Sequence, residues 1–183
     1  MSDKKFPRYD YEPLAERSDK DLEKSVEHFY SLIENHAPEM YKKLLAGTCE
    51  ILDIGAGKGQ FVDELVRQGH SVVGLEANKY GMSADASSHR VLGDAHEILF
   101  SDGSFDIVTN EGLTDPIAYP QNDFAKIFNE IHRVLKPGGI FIDLLFRFRE
   151  HIADPIDFVY QPQAVKKFKE LFVEIGQGIY LKK

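Results

Sequence analysis

The sequence predicts an α/β fold: a doubly wound, mostly parallel sheet with a helical N-terminal extension and a short C-terminal strand or hairpin. Three observations predict it. Short apolar runs at 51–54, 71–75, 90–92, 105–109 and 140–146 are separated by segments with apolar residues at helical spacing, the pattern of parallel strands covered on both faces. A turn of alternating glycines, Gly55, Gly57 and Gly59, joins the first strand directly to a helix, where backbone can approach a ligand closely. Acidic residues then stand just past strand ends, Glu76 after the second strand and Asp94 after the third. In a doubly wound sheet with right-handed crossovers, ligands lie beyond those carboxyl ends.

Taken in order, residues 1–17 are polar but carry Phe6, Tyr9, Tyr11 and Leu14, with Pro7 and Pro13 interrupting regular structure. Ser18 is placed to cap a helix whose first turn holds Asp19 and Asp21, both favourable at a helix N-terminus. Leu22, Val26, Phe29, Tyr30 and Ile33 recur on one side of it. Pro38 opens a second, short helix with Met40, Leu44 and Leu45 on its apolar side, and Gly47 ends it. The first strand is 51–54 and its helix 60–68, with Phe61, Leu65 and Val66 facing the sheet. Strand two, 71–75, leads into a glycine- and serine-rich stretch with Tyr80 and Met82 that is too polar for a full helix. Strand three is 90–92 and strand four 105–109. A helix with Phe124, Ile127, Phe128, Ile131, Val134 and Leu135 inward stops at Lys136-Pro137-Gly138-Gly139 before strand five, 140–146. A last helix, 162–172, turns Val165, Phe168 and Leu171 inward. With 37 residues after Phe146, the terminal hairpin is expected to be shortened or to lack a strand.

Length and composition set the class. The 183 residues suffice for one compact domain with a real core, divided into a 1–47 helical extension and candidate lid and a 48–183 core. Hydrophobic residues at 43% and charged residues at 28% describe a soluble globule. The formal charge of -8, from 22 basic against 30 acidic residues, argues against broad nucleic-acid binding. The single cysteine, Cys49, excludes an intramolecular disulfide and is read as buried packing. The opening residues lack a secretion signal, and no run approaches the roughly 18 apolar residues of a membrane span. The expected location is cytoplasmic. A homo-oligomer is compatible with the sequence.

The motifs narrow the ligand. Lys58 lies inside the glycine series and no Gly-Lys-Ser/Thr follows, so the loop is not a phosphate-binding P-loop. Gln60 stands where the dinucleotide pattern G-x-G-x-x-G requires glycine, which disfavours a hydride-transfer cofactor. The small residues are expected to offer backbone donors and room for a polar tail. Glu76, 21 residues beyond Gly55, is suited to accept from the two hydroxyls of a ribose. Asp94, in Gly93-Asp94-Ala95, alone is an ordinary turn former. With the other two sites it reads as an acceptor for an exocyclic amine, beside a backbone donor to a ring nitrogen.

Asp53-Ile54-Gly55-Ala56-Gly57-Lys58-Gly59, Glu76, Gly93-Asp94-Ala95, Ser104-Phe105-Asp106-Ile107-Val108 and Leu135-Lys136-Pro137-Gly138-Gly139 closely resemble the successive motifs of class I S-adenosylmethionine-dependent methyltransferases, across about 48–146. The likeness is greatest to the small-molecule branch that modifies quinones and metabolites. The resemblance implies a Rossmann-like methyltransferase sheet with S-adenosyl-L-methionine as cofactor and S-adenosyl-L-homocysteine as product. It implies that Asp53, Gly55, Ala56, Gly57 and Gly59 cradle the methionyl portion. Glu76 with Ala77 would hold ribose, Asp94 and Ala95 adenine, and Asn110 would border the methionine side. Tyr9 and Tyr11 would belong to a closing lid. The implied chemistry is direct displacement on the sulfonium methyl, with rate gained mainly from alignment.

The acceptor side is sparser. Glu111, Asp115, Arg147 and Arg149 are candidate substrate-facing residues, with loop capping and surface ion pairs as the competing roles. The segment after strand four lacks the Asn-Pro-Pro-aromatic sequence associated with methylation of planar amines, which disfavours nucleic acid as acceptor. His96 is read as a surface or packing histidine rather than a base. No His, Cys or acidic spacing matches a metal site, and no catalytic residue is assigned. The leading function is methyl transfer to a small-molecule acceptor. The alternatives are a noncatalytic adenosylmethionine-binding or partner-binding protein and, below it, a nucleotide-dependent oxidoreductase.

Overall fold

The computed structural model describes residues 18–77, 89–110, 123–144 and 162–183. Among these, the strands are β1 (Glu50–Ile54), β2 (Ser71–Glu76), β3 (Arg90–Leu92), β4 (Phe105–Asn110), β5 (Leu135–Asp143), β6 (Phe172–Gly176) and β7 (Ile179–Lys182). They form one sheet in the order β3-β2-β1-β4-β5-β7-β6. The first five pair in parallel, whereas β7 runs antiparallel to both β5 and β6. The helices are α1 (Asp19–His36), α2 (Pro38–Leu45), α3 (Gln60–Arg67), α4 (Phe124–Val134) and α5 (Pro162–Leu171).

Strand alternation sends successive side chains into two separate cores. Ile51, Ile107, Ile140 and Ile142 pack with Phe29 and Ile33 of α1, Leu44 of α2 and Phe61, Val62 and Leu65 of α3. Leu52, Ile54, Val108 and Phe141 pack with Phe124, Ile127, Phe128 and Ile131 of α4 and Val165 and Phe168 of α5. The expected doubly wound sheet is therefore present, covered on both sides.

The cap at Ser18 forms as expected: its Oγ accepts from the Asp21 amide at 3.2 Å. α1 then lies over α3, with the Phe29 and Phe61 rings edge to face at 5.8 Å. In α2 only part of the expected apolar side is buried: Leu44 is enclosed and Met40 packs partly against the core, but Leu45 is 63% exposed. Consecutive residues point about 100° apart on a helix, so Leu45 turns away when Leu44 faces the sheet.

One strand expectation is corrected. The Lys136-Pro137-Gly138-Gly139 run, read as the turn before strand five, lies inside β5, which begins at Leu135. The β4–β5 register jumps from Phe105↔Leu135 to Ile107↔Ile140, so the four residues bulge out of the ladder, with Gly138 at φ 73°. This resolves the conflict between a strand and a Pro-Gly turn. Residues 145–146 of the expected strand lie outside the described residues.

The short C-terminal hairpin expected is present, with both β6 of five residues and β7 of four, so neither strand is lacking. Aromatic packing anchors it. Tyr180 is fully buried, stacks near Phe141 at 6.0 Å and meets Phe168 edge to face at 4.7 Å. Such contacts offset the cost of ordering a short terminal hairpin.

The amino edge of the sheet is tied together by one carboxylate. Asp106, 3% exposed, accepts from the Glu50 amide at 2.9 Å, from Lys136 Nζ at 2.8 Å and from Lys43 Nζ. Burial alone would push this carboxyl up. The Glu50 amide and the two ammonium groups outweigh it and hold Asp106 below the usual carboxylate range. Cys49 beside it is buried, as expected. Its thiol is pushed up to about 11 by desolvation and by the Asp106 charge, which makes it a packing residue rather than a nucleophile.

Candidate functional site

The strand order reverses between β1 and β4, the topological switch point beyond whose carboxyl ends doubly wound sheets hold their ligands. Asp53 and the 55–59 loop stand at the end of β1, Glu76 at the end of β2, Gly93 and Asp94 just past β3, Asn110 at the end of β4, and Asp143 at the end of β5. All the described residues expected to bind a ligand thus stand at one edge of the sheet. Tyr9, Tyr11, Glu111, Asp115, Arg147 and Arg149 lie outside the described residues, as do Tyr80 and Met82.

The three loop glycines all adopt left-handed backbone, at φ 76°, 54° and 84° for Gly55, Gly57 and Gly59, a region that costs other residues about 1 kcal/mol or more. The expectation that the loop offers free backbone donors is corrected. Gly55 and Ala56 both donate to the Leu75 carbonyl, at 2.8 and 3.1 Å, and Gly59 donates to the Ala56 carbonyl at 2.8 Å. Gly57 donates to Glu76 Oε2 at 2.8 Å. With these amides turned inward, the loop is not a nest for a pyrophosphate.

The edge is instead rich in buried acceptors. Asp53, Glu76 and Asp143 are 4%, 8% and 5% exposed. Asp53 Oδ1 accepts from Thr109 Oγ1 at 2.8 Å, which aligns β1 with β4, and Asp143 Oδ1 accepts from Asn110 Nδ2 at 3.3 Å. Such a set suits a ligand that carries positive charge and hydroxyl donors. Ala77, half-buried, directly follows Glu76, and Ala95 is buried beside Ile98.

Asp94 does more than turn the chain. Its Oδ1 accepts from the His96 amide at 2.8 Å and lies 2.7 Å from His96 Nδ1. The far nitrogen, Nε2, accepts from the Asp123 amide at 3.1 Å. An amide can only donate, so Nδ1 carries the proton and donates to Asp94. His96 therefore bridges the post-β3 segment to Asp123, which caps α4 through the Lys126 amide at 3.1 Å. The packing role expected for His96 holds, now with defined partners. Arg133 of α4 secures the following segment, donating to the carbonyls of Ile98 and Phe100 at 2.7 and 2.8 Å. Its bonds to Glu130 hold that carboxyl below its ordinary value.

The sequence reading missed Arg90. It is 5% exposed, and its Nη1 donates to the Gly57 carbonyl. Burial lowers its pKa, opposed by the charges of Glu76 and Asp63. The available signal was a basic residue opening a short strand otherwise made of Val91 and Leu92. Gly74, its register partner, makes room for it. A Cβ at Gly74 would come 2.7 Å from Ala56 Cβ and 3.0 Å from both Arg90 Cγ and Val62 Cγ2. Gly74→Ala is expected to cost about 1–3 kcal/mol by overpacking, read as a lower midpoint in urea denaturation. Unchanged stability would show that the loop and Arg90 yield freely.

The known-protein comparisons agree with this geometry. The methyltransferase-domain family matches residues 52–143, from β1 to the end of β5. The chain belongs to this family, and the resemblance read from its motifs to S-adenosylmethionine-dependent methyltransferases stands as family membership. It is 35% identical over 142 residues to phthiotriol/phenolphthiotriol dimycocerosates methyltransferase of Mycobacterium tuberculosis, across 73% of this chain and 51% of that protein. It is 34% identical to ubiquinone biosynthesis O-methyltransferase of Nitrosococcus oceani, across 63% and 48%, and 32% identical to sterol 24-C-methyltransferase of Aspergillus fumigatus, across 63% and 33%. The chain spans about half the length of the first of these relatives or less of the others. Its fold is similar to that of a Haemonchus contortus phosphoethanolamine N-methyltransferase solved with phosphomonomethylethanolamine and S-adenosylhomocysteine, with a TM-score of 0.50 and 24% identity over 73% of this chain and 37% of that one.

Proposed function

We propose that this protein binds S-adenosyl-L-methionine at the carboxyl edge of the sheet and transfers its methyl group to a small-molecule acceptor. The observation that carries the reading is the buried Glu76 carboxylate joined to the Gly57 amide at the topological switch point. An acceptor there, beside a loop whose amides point inward, fits hydroxyls and positive charge rather than phosphate. The residues present therefore fit the cofactor. Glu76 with Ala77 takes the ribose, Asp94 and Ala95 the adenine edge, and Asp53, Gly55, Ala56, Gly57 and Gly59 the methionyl arm, with Asn110 bordering it. Tyr9 and Tyr11 are proposed as lid residues of a 1–47 extension over the 48–183 core. Glu111, Asp115, Arg147 and Arg149 are proposed to face the acceptor.

When bound, the cofactor supplies a sulfonium-activated methyl group for direct displacement. The chain's own residues bind and orient. Carboxylates at the strand ends hold the nucleoside, and the packed glycine loop limits the positions open to the methionyl arm. No described side chain is assigned as a base, and none is required for an acceptor whose nucleophile ionises readily. The relatives named for ubiquinone biosynthesis, sterol and phthiotriol substrates support a small-molecule acceptor. The net charge of -8 argues against nucleic acid as the acceptor. Among the described residues no helix is long and apolar enough to cross a membrane. A cytoplasmic location and a homo-oligomer remain proposals.

Isothermal calorimetry on the folded protein tests the cofactor. Micromolar binding of S-adenosylhomocysteine and adenosylmethionine, with no heat from NAD, is the expected result. A null titration would sink the reading. Binding without methyl transfer across a panel of quinols, sterols and amines would favour the noncatalytic alternative.

A further inference from the structure

Arg90 is a buried cation that the binding roles assigned above do not use. It is 5% exposed, and among the described residues its Nε and Nη2 have no hydrogen-bond partner. An apolar side chain would fill the same slot over Gly74 without the desolvation cost of a charge. What the guanidinium adds is one contact and one charge. Nη1 donates to the Gly57 carbonyl, and the positive group sits near Glu76 and Asp63. Glu76 meanwhile accepts from the Gly57 amide at 2.8 Å. Two side chains, from β2 and β3, thus grip the two sides of a single left-handed glycine, the middle one of the loop.

We propose that Arg90 is a positioning residue for the cofactor loop: its guanidinium sets the orientation of Gly57 from beneath, and affinity for the amino-acid arm of the cofactor depends on it without direct contact. This inference rests on the functional reading above. The stem of Arg90 crosses Gly74 beside Ala56 and Val62, so it braces the loop against both β2 and the first turn of α3. Releasing the Gly57 carbonyl frees the peptide that links Gly57 to Lys58. The nucleoside contacts at Glu76 and Asp94 are carried by other side chains.

The test compares two probes, S-adenosylhomocysteine and 5′-methylthioadenosine, which is the same nucleoside thioether without the amino-acid arm. In Arg90→Met, S-adenosylhomocysteine affinity is expected to fall roughly tenfold or more. Affinity for 5′-methylthioadenosine should change less than about threefold, and the melting temperature of the apo protein should hold or rise, because the desolvation cost of a buried charge has been removed. Arg90→Lys, whose ammonium still reaches toward the Gly57 carbonyl, should return S-adenosylhomocysteine affinity to within about threefold of wild type. Arg90→Gln ends two atoms short of that carbonyl, should show the same split as Arg90→Met, and decides the matter if the methionine variant does not fold. Unchanged S-adenosylhomocysteine affinity would overturn the proposal. So would an equal loss for both probes with a lower melting temperature, the mark of a merely structural residue. If wild type itself binds neither probe, the functional reading fails first. If wild type binds and the variants bind alike, only this inference fails.

Discussion

Glu76→Ala is expected to weaken S-adenosylhomocysteine binding by about 100-fold, close to 2.7 kcal/mol. The carboxylate is 8% exposed and ends β2. Hydrogen bonds to a charged acceptor in such a setting contribute about 1.5–3 kcal/mol each, and a ribose presents two hydroxyls to it. Alanine also strands the Gly57 amide that Glu76 now accepts, so the loop is disturbed together with the ribose contact. Glu76→Gln separates the two effects. Its carbonyl oxygen still accepts from Gly57, but its NH2 group cannot accept from a second hydroxyl. Binding should then fall only about tenfold. Calorimetry on both variants, with circular dichroism to verify the fold, gives the comparison. Affinity within about threefold of wild type for Glu76→Ala would remove Glu76 from the ribose site.

At the opposite edge of the sheet, Asp106→Ala should lower stability by about 2–3 kcal/mol without altering cofactor affinity. Asp106 gathers the Glu50 amide, Lys43 and Lys136 around one buried carboxyl. Their lysine side chains are 41% and 35% exposed, so each ammonium can turn to water when the acid is gone. That keeps the cost below that of a fully buried pair. The stranded Glu50 amide is the larger part of it.

The same carboxyl makes stability acid-sensitive, with a definite sign. Folding lowers its pKa, so its contribution is complete above the unfolded value near pH 4 and is lost as pH falls through the lower folded value. Urea titrations of wild type and Asp106→Asn should therefore differ most at neutral pH and converge as the solution is acidified below about pH 4. A gap that persists unchanged to about pH 2 would contradict an ionic role.

Much of the fold was legible because its signals are local. Five strands follow from apolar runs, Ser18 caps α1 where its side chain and the following acids placed it, and the 55–59 loop forms with every glycine left-handed. The less legible features depend on partners distant in sequence. The Lys136–Gly139 run reads as a turn, yet it sits within a strand because β4 supplies hydrogen bonds on either side of the bulge. The C-terminal segment read equally as one strand or a short hairpin, and the hairpin forms because Tyr180 finds Phe141 and Phe168, residues 39 and 12 positions earlier.

The sequence by itself determined the class of this protein. The ordered motifs from Asp53 to Gly139 carry the family, and the spacing of Glu76 and Asp94 behind the glycine loop carries the nucleoside reading, because chain order in a doubly wound sheet brings strand ends to one edge. Only the tertiary structure decided how that edge presents itself. It turned the loop amides inward onto Leu75 and Glu76, tied Asp94 to α4 through His96, and set Arg90 beneath Gly57. These are contacts across strands and helices, and local composition does not encode which donor reaches a buried acceptor once the backbone has closed around it.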